Sequence, residues 1–549
     1  MDEIFQEINK IGYLEISNCQ FDISDIPVDL LSNEKNKEKM SLILDIMYAL
    51  KNKINDKFII DFVFEKNKEE DIPQKVSFYQ YILLAFYTFI NAYFTVRQFI
   101  LIRFPQIFQT NKTSQQINFD YKIYLNLLNN KIILNDKEYS YQTIKTVETS
   151  DKILSIFNKI LSQIDQKHLL FNYNIFHYPF TCLAGTFDRC HTGHLFLIQS
   201  GLLLTKNHYF NGVCSDKMIK HKGPLSLIQS NFIRRKKIEE IINLNGCNNY
   251  DCFYDVGSIY DNVDMAGREP DLKSLIVTTE TYKGGLYCNE IRKKNNLSPV
   301  DICTINVINI NLDNVNKISS SIIRKDILNI ISIEKIDKLY LEYNKLCNDL
   351  LNIEEKNIID YWWHEILEHY TKKWKFYHNL NHIFSFVCLF EKYNNYIQNY
   401  KNEFLISIFF HDIIYIPSRN DNEEKSIDIF NKFYLEIKSE NLNKEKVIEF
   451  ITNTKHHLLP LNNNSEEINY FMDMDMEIIA EDTWEDYENK IRKEYCYCND
   501  IEYKHKRKQF LQSLLNKDKI FRTKIFYDTY EQKARKNLTN IINKLNSNV

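Results

Sequence analysis

Two groups of residues in this 549-residue chain have types and spacings that can do chemistry. The first follows a short apolar run ending at Gly185. There AGTFDRCHTGHLFLI (184–198) sets His191 and His194 three apart, where a strand gives way to a helix. Two imidazoles beside the unpaired N–H groups of a helix start make an anion site, because the helix dipole and the free donors both favour phosphate. The second group lies in the last third of the chain. His378 and His382 are four apart, on one helical face if the stretch is helical. His411 and Asp412 are adjacent behind an apolar run, and Asp473 and Asp475 interrupt the apolar FMDMDMEII (471–479). Acids and imidazoles among Phe, Ile and Met carry a desolvation penalty that a shared cation offsets, so this set reads as a metal site. HEILEH (364–369) does not join it: its histidines are five apart and diverge around a helix, as expected of a solvated face.

These residues need elements to hold them. Around the first group, PFTCLAG (179–185), HYFNGVC (208–214), CFYDV (252–256), LKSLIVTT (272–279) and ICTINVINI (302–310) read as buried parallel strands. Residues 194–206 and 226–244 between them have helical periodicity, so the expected fold is a doubly wound α/β sheet. After about residue 335 the apolar positions recur at three and four almost to the end, which predicts an all-helical last third. Glycine agrees: ten of the eleven fall between Gly185 and Gly285 and none follows, as suits helices with few left-handed turns. Residues 1–175 read as mixed α/β or α pieces of unassigned role. The expected domains are therefore 1–175, 176–335 and 336–549.

Composition sets outer bounds. At 44% hydrophobic and 26% charged, the chain has a globular balance, and a net charge of −4 makes no general nucleic-acid surface. No glycine pair has the GxxxxGK[ST] spacing of a P-loop. Twelve scattered cysteines form no CxxC pair, and the polar start MDEIFQEINK is no signal peptide, so a reducing cytoplasmic setting is expected. Residues 76–96 are uncharged and long enough to span a bilayer, but Gln80, Asn91 and four tyrosines favour a buried helix.

The run TFDRCHTGH resembles the T/HxGH signature of the adenylyl-transferring α/β superfamily. More narrowly, residues 179–330 resemble eukaryotic-type phosphopantetheine adenylyltransferase, as found in the bifunctional coenzyme A synthase of animals. VCSDKMIKHK (213–222), TTETYKGGLYCNEIRKK (278–294) and KISSSIIRKDIL (317–328) match its later motifs in order. The resemblance implies a Rossmann-like nucleotidyltransferase that joins 4′-phosphopantetheine to the adenylyl group of ATP, with Mg²⁺ carried on the ATP phosphates. It implies that His194 contacts the triphosphate with His191 beside it, and that Thr186 and Phe187 belong to the binding loop. One of Lys217, Lys220 and Lys222 neutralises phosphate, Lys220 being the choice. Ser319, Ser320, Ser321 and Arg324 receive the β- and γ-phosphates, and Asn289 and Arg292 face substrate. The animal enzyme continues into a P-loop kinase; without that loop this chain is expected to stop at dephospho-coenzyme A. Transfer to another phosphate substrate, or nucleotide sensing without turnover, are the competing readings.

The last third resembles the HD-domain metal-dependent phosphohydrolases, through YHxxxH (377–382), FHDxxY (410–415), DNEEKSI (421–427), the late DxD and FRTKIFYDTYEQKARKNL (521–538). This implies an all-α HD domain in which His382, His411, Asp412 and Asp473 hold a divalent ion of unknown identity. Asp475 stands behind Asp473 or trades places with it. His378 is left to protonate a leaving group, Glu423 to orient water, and His456 and His457 to meet a further metal or phosphate. Substrate and oligomeric state are open.

Overall fold

The computed structural model describes residues 11–17, 34–50, 54–63, 83–90, 99–103, 122–126, 131–134, 137–140, 155 and 157–162 of the first third. It then describes 178–305 and 319–547, apart from 224–225, 246–251, 351–355, 373, 438, 456–464 and 497. The chain forms two compact units, Met1–Arg324 and Lys325–Val549.

The first unit contains two sheets. The N-terminal one comprises β1 (Ile11–Ser17), β2 (Ile54–Val63), β3 (Phe99–Arg103), β4 (Lys122–Asn126), β5 (Lys131–Leu134) and β6 (Lys137–Ser140), in the order β3-β2-β1-β4-β5-β6. Its first four strands are parallel, and β4, β5 and β6 form an antiparallel meander. The helix α1 (Glu34–Leu50) crosses from β1 to β2, burying Met40, Ile43, Leu44 and Met47. Of the apolar segment 76–96, residues 83–90 form a fully buried helical piece whose Phe86 packs against Phe62 and Phe157. Among the described residues no helix is long and apolar enough to cross a membrane.

The second sheet comprises β7 (Tyr178–Gly185), β8 (Thr205–Cys214), β9 (Phe253–Ile259), β10 (Ser274–Thr278) and β11 (Asp301–Ile305), all parallel, in the order β11-β10-β7-β8-β9. The strands expected from their apolar runs are therefore present; 306–310 lie outside the described residues. Connecting helices are α2 (Thr192–Leu204), α3 (Asn231–Leu244), α4 (Asp264–Arg268) and α5 (Tyr282–Lys294), and α6 (Ser320–Leu328) follows β11. The winding reverses at β7, which puts a topological switch point between β7 and β10, where α/β sheets open a crevice at their carboxyl ends. A cavity of about 140 Å³ lies there, lined by Ala184, Asp261, Val277, Thr281 and Gly284 among others. The parallel part of the N-terminal sheet has the same third-second-first-fourth order.

The second unit is helical: α7 (Ile333–Leu350), α8 (Lys356–Tyr370), α9 (Leu380–Tyr393), α10 (Lys401–Phe410), α11 (Asn422–Ile437), α12 (Lys444–Thr454), α13 (Glu466–Met476), α14 (Trp484–Glu494), α15 (Asp500–Leu515) and α16 (Lys524–Ser547). Phe386, Phe404, Phe450 and Phe471, from four different helices, meet in one aromatic cluster beneath the second group of histidines. The expectation of a solvated HEILEH face needs correcting: His364 is buried together with Trp362, Trp363, Ile366 and Leu367. The reason is that α8 is covered by both α7 and α11, which leaves it a wide buried face.

Candidate active sites in the two units

In the first unit the site grows from the end of β7. The chain leaves Gly185 through two left-handed residues, Phe187 (φ 54°) and Arg189 (φ 46°), a conformation that side chains with a Cβ adopt only under constraint. The constraint is visible on both sides. The Phe187 ring is buried and lies so close beneath Gly185 that a Cβ there would meet it at 3.0 Å. The Arg189 N–H donates to Gln229 Oε1 and its guanidinium to the Leu227 carbonyl. His191 then caps α2, its Nδ1 accepting from the Gly193 N–H at 3.2 Å. The ring folds over the helix end at the position a Gly193 Cβ would crowd, at 3.1 Å. His191 and His194 stack with ring centroids 4.0 Å apart, and Phe187 backs His194.

Burial pushes the His191 imidazole well below the usual histidine range, with His194 adding to it. Burial and then the Lys222 charge push His194 down to about 4. Both rings are therefore neutral near pH 7. With His191 Nδ1 accepting from Gly193, its proton sits on Nε2. His194 Nδ1 is buried with no hydrogen-bond partner among the described residues, an opening for a ligand atom.

The other motifs converge on this loop. Lys222 donates to Thr186 Oγ1 at 2.6 Å. The lysine at the loop is thus Lys222, two positions beyond the expected Lys220, because the 3₁₀ turn Lys220–Lys222 after the short helix Asp216–Ile219 carries the last lysine back towards β7. Asp188, 1% exposed, pairs with Arg324 and also accepts the Gln229 N–H. Ser320 Oγ donates to the Asp188 carbonyl at 2.6 Å, Ser319 Oγ accepts the Ile322 N–H, and Arg324 reaches Ser321 Oγ at 3.1 Å. Arg324 is therefore neutralised by a carboxylate in this state and not presented as a free clamp. Asp188 is the residue that sequence reasoning missed, although it stood inside the quoted motif. Arg234, wholly buried, ties the frame together by donating to the carbonyls of Thr186, Cys214 and Gln229 and to Asp216.

Asn289 and Arg292 have a different task from the expected one. Asn289 pairs with both the N–H and the C=O of Val300. Arg292, 0% exposed, donates to the carbonyls of Ser298, Ala266 and Glu269. Both fasten α5 to neighbouring loops. The Phe187 side chain, likewise, is a packing element under the loop.

In the second unit, His382 stands in the first turn of α9, His411 caps the end of α10, Asp412 follows, and Asp475 is in the last turn of α13. His382 Nε2 lies 3.2 Å from His411 Nε2 and 3.2 Å from Asp475 Oδ1. His411 Nε2 lies 3.3 Å from Asp412 Oδ2 and 3.7 Å from Asp475 Oδ1. His411 Nδ1 meets the Ile408 carbonyl at 3.0 Å, which leaves Nε2 as the lone-pair nitrogen facing the cluster. Lys375 donates to the Asp412 and Ile413 carbonyls, and Asn422 and Ser426 of the DNEEKSI stretch pair with Ile416 and Ile414, so the loop carrying Asp412 is fixed on both sides.

The expected ligand Asp473 is not in this cluster. Its carboxylate accepts the N–H groups of Arg522 and Thr523 and the Thr523 hydroxyl, each at 2.7 Å, just ahead of α16. Residues two apart on a helix point about 200° from each other, so only one of the DxD pair can face the histidines, and that one is Asp475. Burial raises the Asp473 carboxyl to about 6 against those hydrogen bonds. His378 also departs from expectation: it precedes α9, whose cap is Asn379, so it does not share a helical face with His382. Its Nδ1 pairs with Glu494 Oε2 at 2.7 Å, its ring stacks on Tyr415 at 3.6 Å, and Glu494 also accepts the Tyr377 and His378 N–H groups. Burial opposes charge on His378, but Glu494 outweighs it and raises the imidazole. Glu494, 4% exposed at the end of α14, had no local sequence signal. A cavity of about 430 Å³ opens over the cluster, lined by His378, Asp412, Glu423, Asp475 and Arg507 among others. His456 and His457 lie outside the described residues.

The five-stranded parallel sheet with its helices fits a Rossmann-like nucleotidyltransferase domain, and residues 182–326 match the cytidylyltransferase-like family. Over 146 residues the chain is 35% identical to the phosphopantetheine adenylyltransferase of Thermococcus kodakarensis, covering 27% of this chain and 84% of that protein. It is 33% identical over 146 residues to that of Pyrococcus abyssi, covering 27% and 88%. With the Saccharomyces cerevisiae phosphopantetheine adenylyltransferase it shares 25% identity over 183 residues, covering 32% and 57%. The chain belongs to the phosphopantetheine adenylyltransferase family.

Three substitutions separate framework from site. Asn289→Ala leaves both Val300 backbone groups unpaired and is expected to lower stability by about 1–3 kcal/mol in chemical denaturation, with substrate KM values unchanged. Asp473→Ala, which removes the three acceptor contacts ahead of α16, is expected to destabilise by about 1–3 kcal/mol, whereas Asp475→Ala strands no backbone N–H group among the described residues and destabilises less. Equal losses at the two aspartates would contradict the assignment.

Proposed function

We propose that the first unit transfers the adenylyl group of ATP to 4′-phosphopantetheine, giving dephospho-coenzyme A and pyrophosphate. The observation that carries this reading is the meeting of Thr186, Lys222, His191, His194 and the Ser319–Arg324 segment at the carboxyl end of β7, in a chain of this family. A phosphate oxygen of phosphopantetheine attacks the α-phosphorus; a P–O bond forms there as the bond to the β-phosphate oxygen breaks and pyrophosphate departs. The protein needs no covalent intermediate, only alignment of two anions and stabilisation of charge on the transferring group. Lys222 and Thr186 hold the incoming phosphate, the neutral His194 donates a hydrogen bond at the reacting phosphoryl group, and the N-termini of α2 and α6 receive the chain of phosphates. Mg²⁺ arrives with ATP.

A second activity is supported by the cluster of His382, His411, Asp412 and Asp475: metal-dependent hydrolysis of a phosphate ester by the helical unit, in the manner of the HD phosphohydrolases it resembles. The donor set fits a divalent cation, since the Nε2 atoms of both imidazoles lie within 3.9 Å of both carboxylates in a buried space. Those four residues would hold the ion, which supplies Lewis acidity towards phosphate and water when bound. The Glu494 contact at His378 Nδ1 leaves Nε2 to move a proton at the leaving oxygen, and Glu423 faces the same cavity.

Pyrophosphate release by the full chain is expected to require both ATP and 4′-phosphopantetheine, and His194→Ala is expected to lower kcat about 10²–10³-fold. Because His194 gains its second proton only near 4, it stays a neutral imidazole with one N–H donor, and its titration does not shape the rate between about pH 6 and 8. Release from ATP alone, or an unaltered His194→Ala rate, would overturn the assignment. For the helical unit, full-length protein loaded with Mn²⁺ or Zn²⁺ is expected to lose one bound ion in Asp475→Asn but not in Asp473→Asn, measured by metal analysis. The same loaded protein should release phosphate from some member of a panel of phosphopantetheine and nucleotide monoesters, and inactivity on all of them would remove the hydrolase reading.

A further inference from the structure

The N-terminal sheet has so far no part in either activity, yet it touches the helix that carries His191 and His194. Among the described residues β3 is an edge strand, paired with β2 alone. An edge strand leaves a row of N–H and C=O groups on its open side, which proteins cover or blunt. At Ile102 both groups are covered. The N–H donates to the Tyr87 hydroxyl at 3.2 Å, and the C=O accepts from Gln199 Nε2 at 2.5 Å. Tyr87 in turn donates to Gln199 Oε1 at 2.7 Å, and Gln199 Nε2 also donates to Asn245 Oδ1 at 2.8 Å at the end of α3.

Gln199 is the centre of this knot. It is 1% exposed in the largely apolar LFLIQSGLLL stretch of α2, where an unpaired amide would be expensive. Here the oxygen and both N–H groups of the amide are taken up, by three different elements. A helix held so at its middle has its rotation and its axial position fixed, and with them the placement of His194 five residues earlier. The Thermococcus kodakarensis relative, 84% of which is accounted for by 146 matched residues, has no length left for a counterpart of residues 1–175. The sheet is thus an addition to the nucleotidyltransferase fold, docked on the one helix that carries the histidines.

We propose that the N-terminal sheet is an intramolecular brace for the nucleotidyl-transfer site, acting on His194 through Gln199 as a positioning residue. The inference rests on the adenylyl-transfer reading, and its test keeps the two apart. In the full chain, Gln199→Leu keeps the side-chain bulk and removes all three hydrogen bonds; Tyr87→Phe removes a single oxygen atom. Gln199→Leu is expected to lower kcat for pyrophosphate release about tenfold with KM values within about twofold, because reacting groups are displaced while the binding surfaces stay. Tyr87→Phe should shift kcat in the same direction by less, and the double variant should be no slower than Gln199→Leu alone, as for two members of one network. Amide hydrogen exchange over residues 191–198 should quicken in both variants. A folded Gln199→Leu or Tyr87→Phe with lowered melting temperature but unchanged kcat and unchanged exchange at 191–198 overturns the brace. If Gln199→Leu does not fold, Tyr87→Phe decides. If the unaltered chain releases no pyrophosphate, the adenylyl-transfer reading fails by that control, and the exchange arm alone decides whether the sheet holds the helix.

Discussion

The buried pair of Asp188 and Arg324 is the constraint on which the first unit's site depends. It joins the loop after β7, where the winding starts, to α6, where it ends, across most of the domain's sequence. Desolvating two charges is costly, and further hydrogen bonds to both partners offset it. Asp188 also takes the Gln229 N–H, and Arg324 also reaches Ser321 and the Lys222 carbonyl. The loops bearing Thr186, Lys222, Gln229 and the serines are thereby held as one frame. The two left-handed residues flanking Asp188 are what aims its carboxylate inward, so the backbone strain and the ion pair are two sides of the same device.

A comparable economy governs the helical unit. Four side chains from α9, α10, α13 and the loop after α10 point their polar ends into a space walled by Phe386 and Phe471. Such a cluster is tolerable only when each acid and imidazole has a partner, and the partners here come from outside the cluster as well as within it. The Ile408 carbonyl orients the His411 ring, and beside the cluster Glu494 holds His378 from the end of a distant helix. Asp473 is spent on the start of α16, which binds the last helix of the unit to the one that carries Asp475.

Strands and helices were largely readable because their signals are local. The apolar runs at 179–185, 208–214 and 272–279 correspond to β7, β8 and β10, and the glycine-free, three-and-four-spaced last third is helical. Side-chain roles were less readable because they turn on contacts that spacing does not encode. Asp473 and Asp475 look alike in a DxD, and only the direction of α13 tells them apart. Lys220 and Lys222 differ by a 3₁₀ turn. Asn289 and Arg292 fit a substrate-facing pattern yet pair with backbone groups eleven and six residues on, and further. Glu494 and Gln199 act across 116 and 97 residues of sequence, beyond any local motif.

The open side of β3 has a consequence for how the chain is made. Synthesis proceeds from the N-terminus, and domains fold as they emerge. All six strands of the N-terminal sheet leave the ribosome before residue 199 does, so the sheet exists for a time with the Ile102 edge lacking the amide that covers it. At about 5–20 residues per second that interval lasts several seconds, during which, among the described residues, Tyr87 shields the strand at Ile102. At the other end of the sheet β4, β5 and β6 follow one another closely and pair as they emerge, with β6 as the edge among the described residues. Emergence of α2 thus completes the older sheet in the same event that delivers the two histidines to the new one.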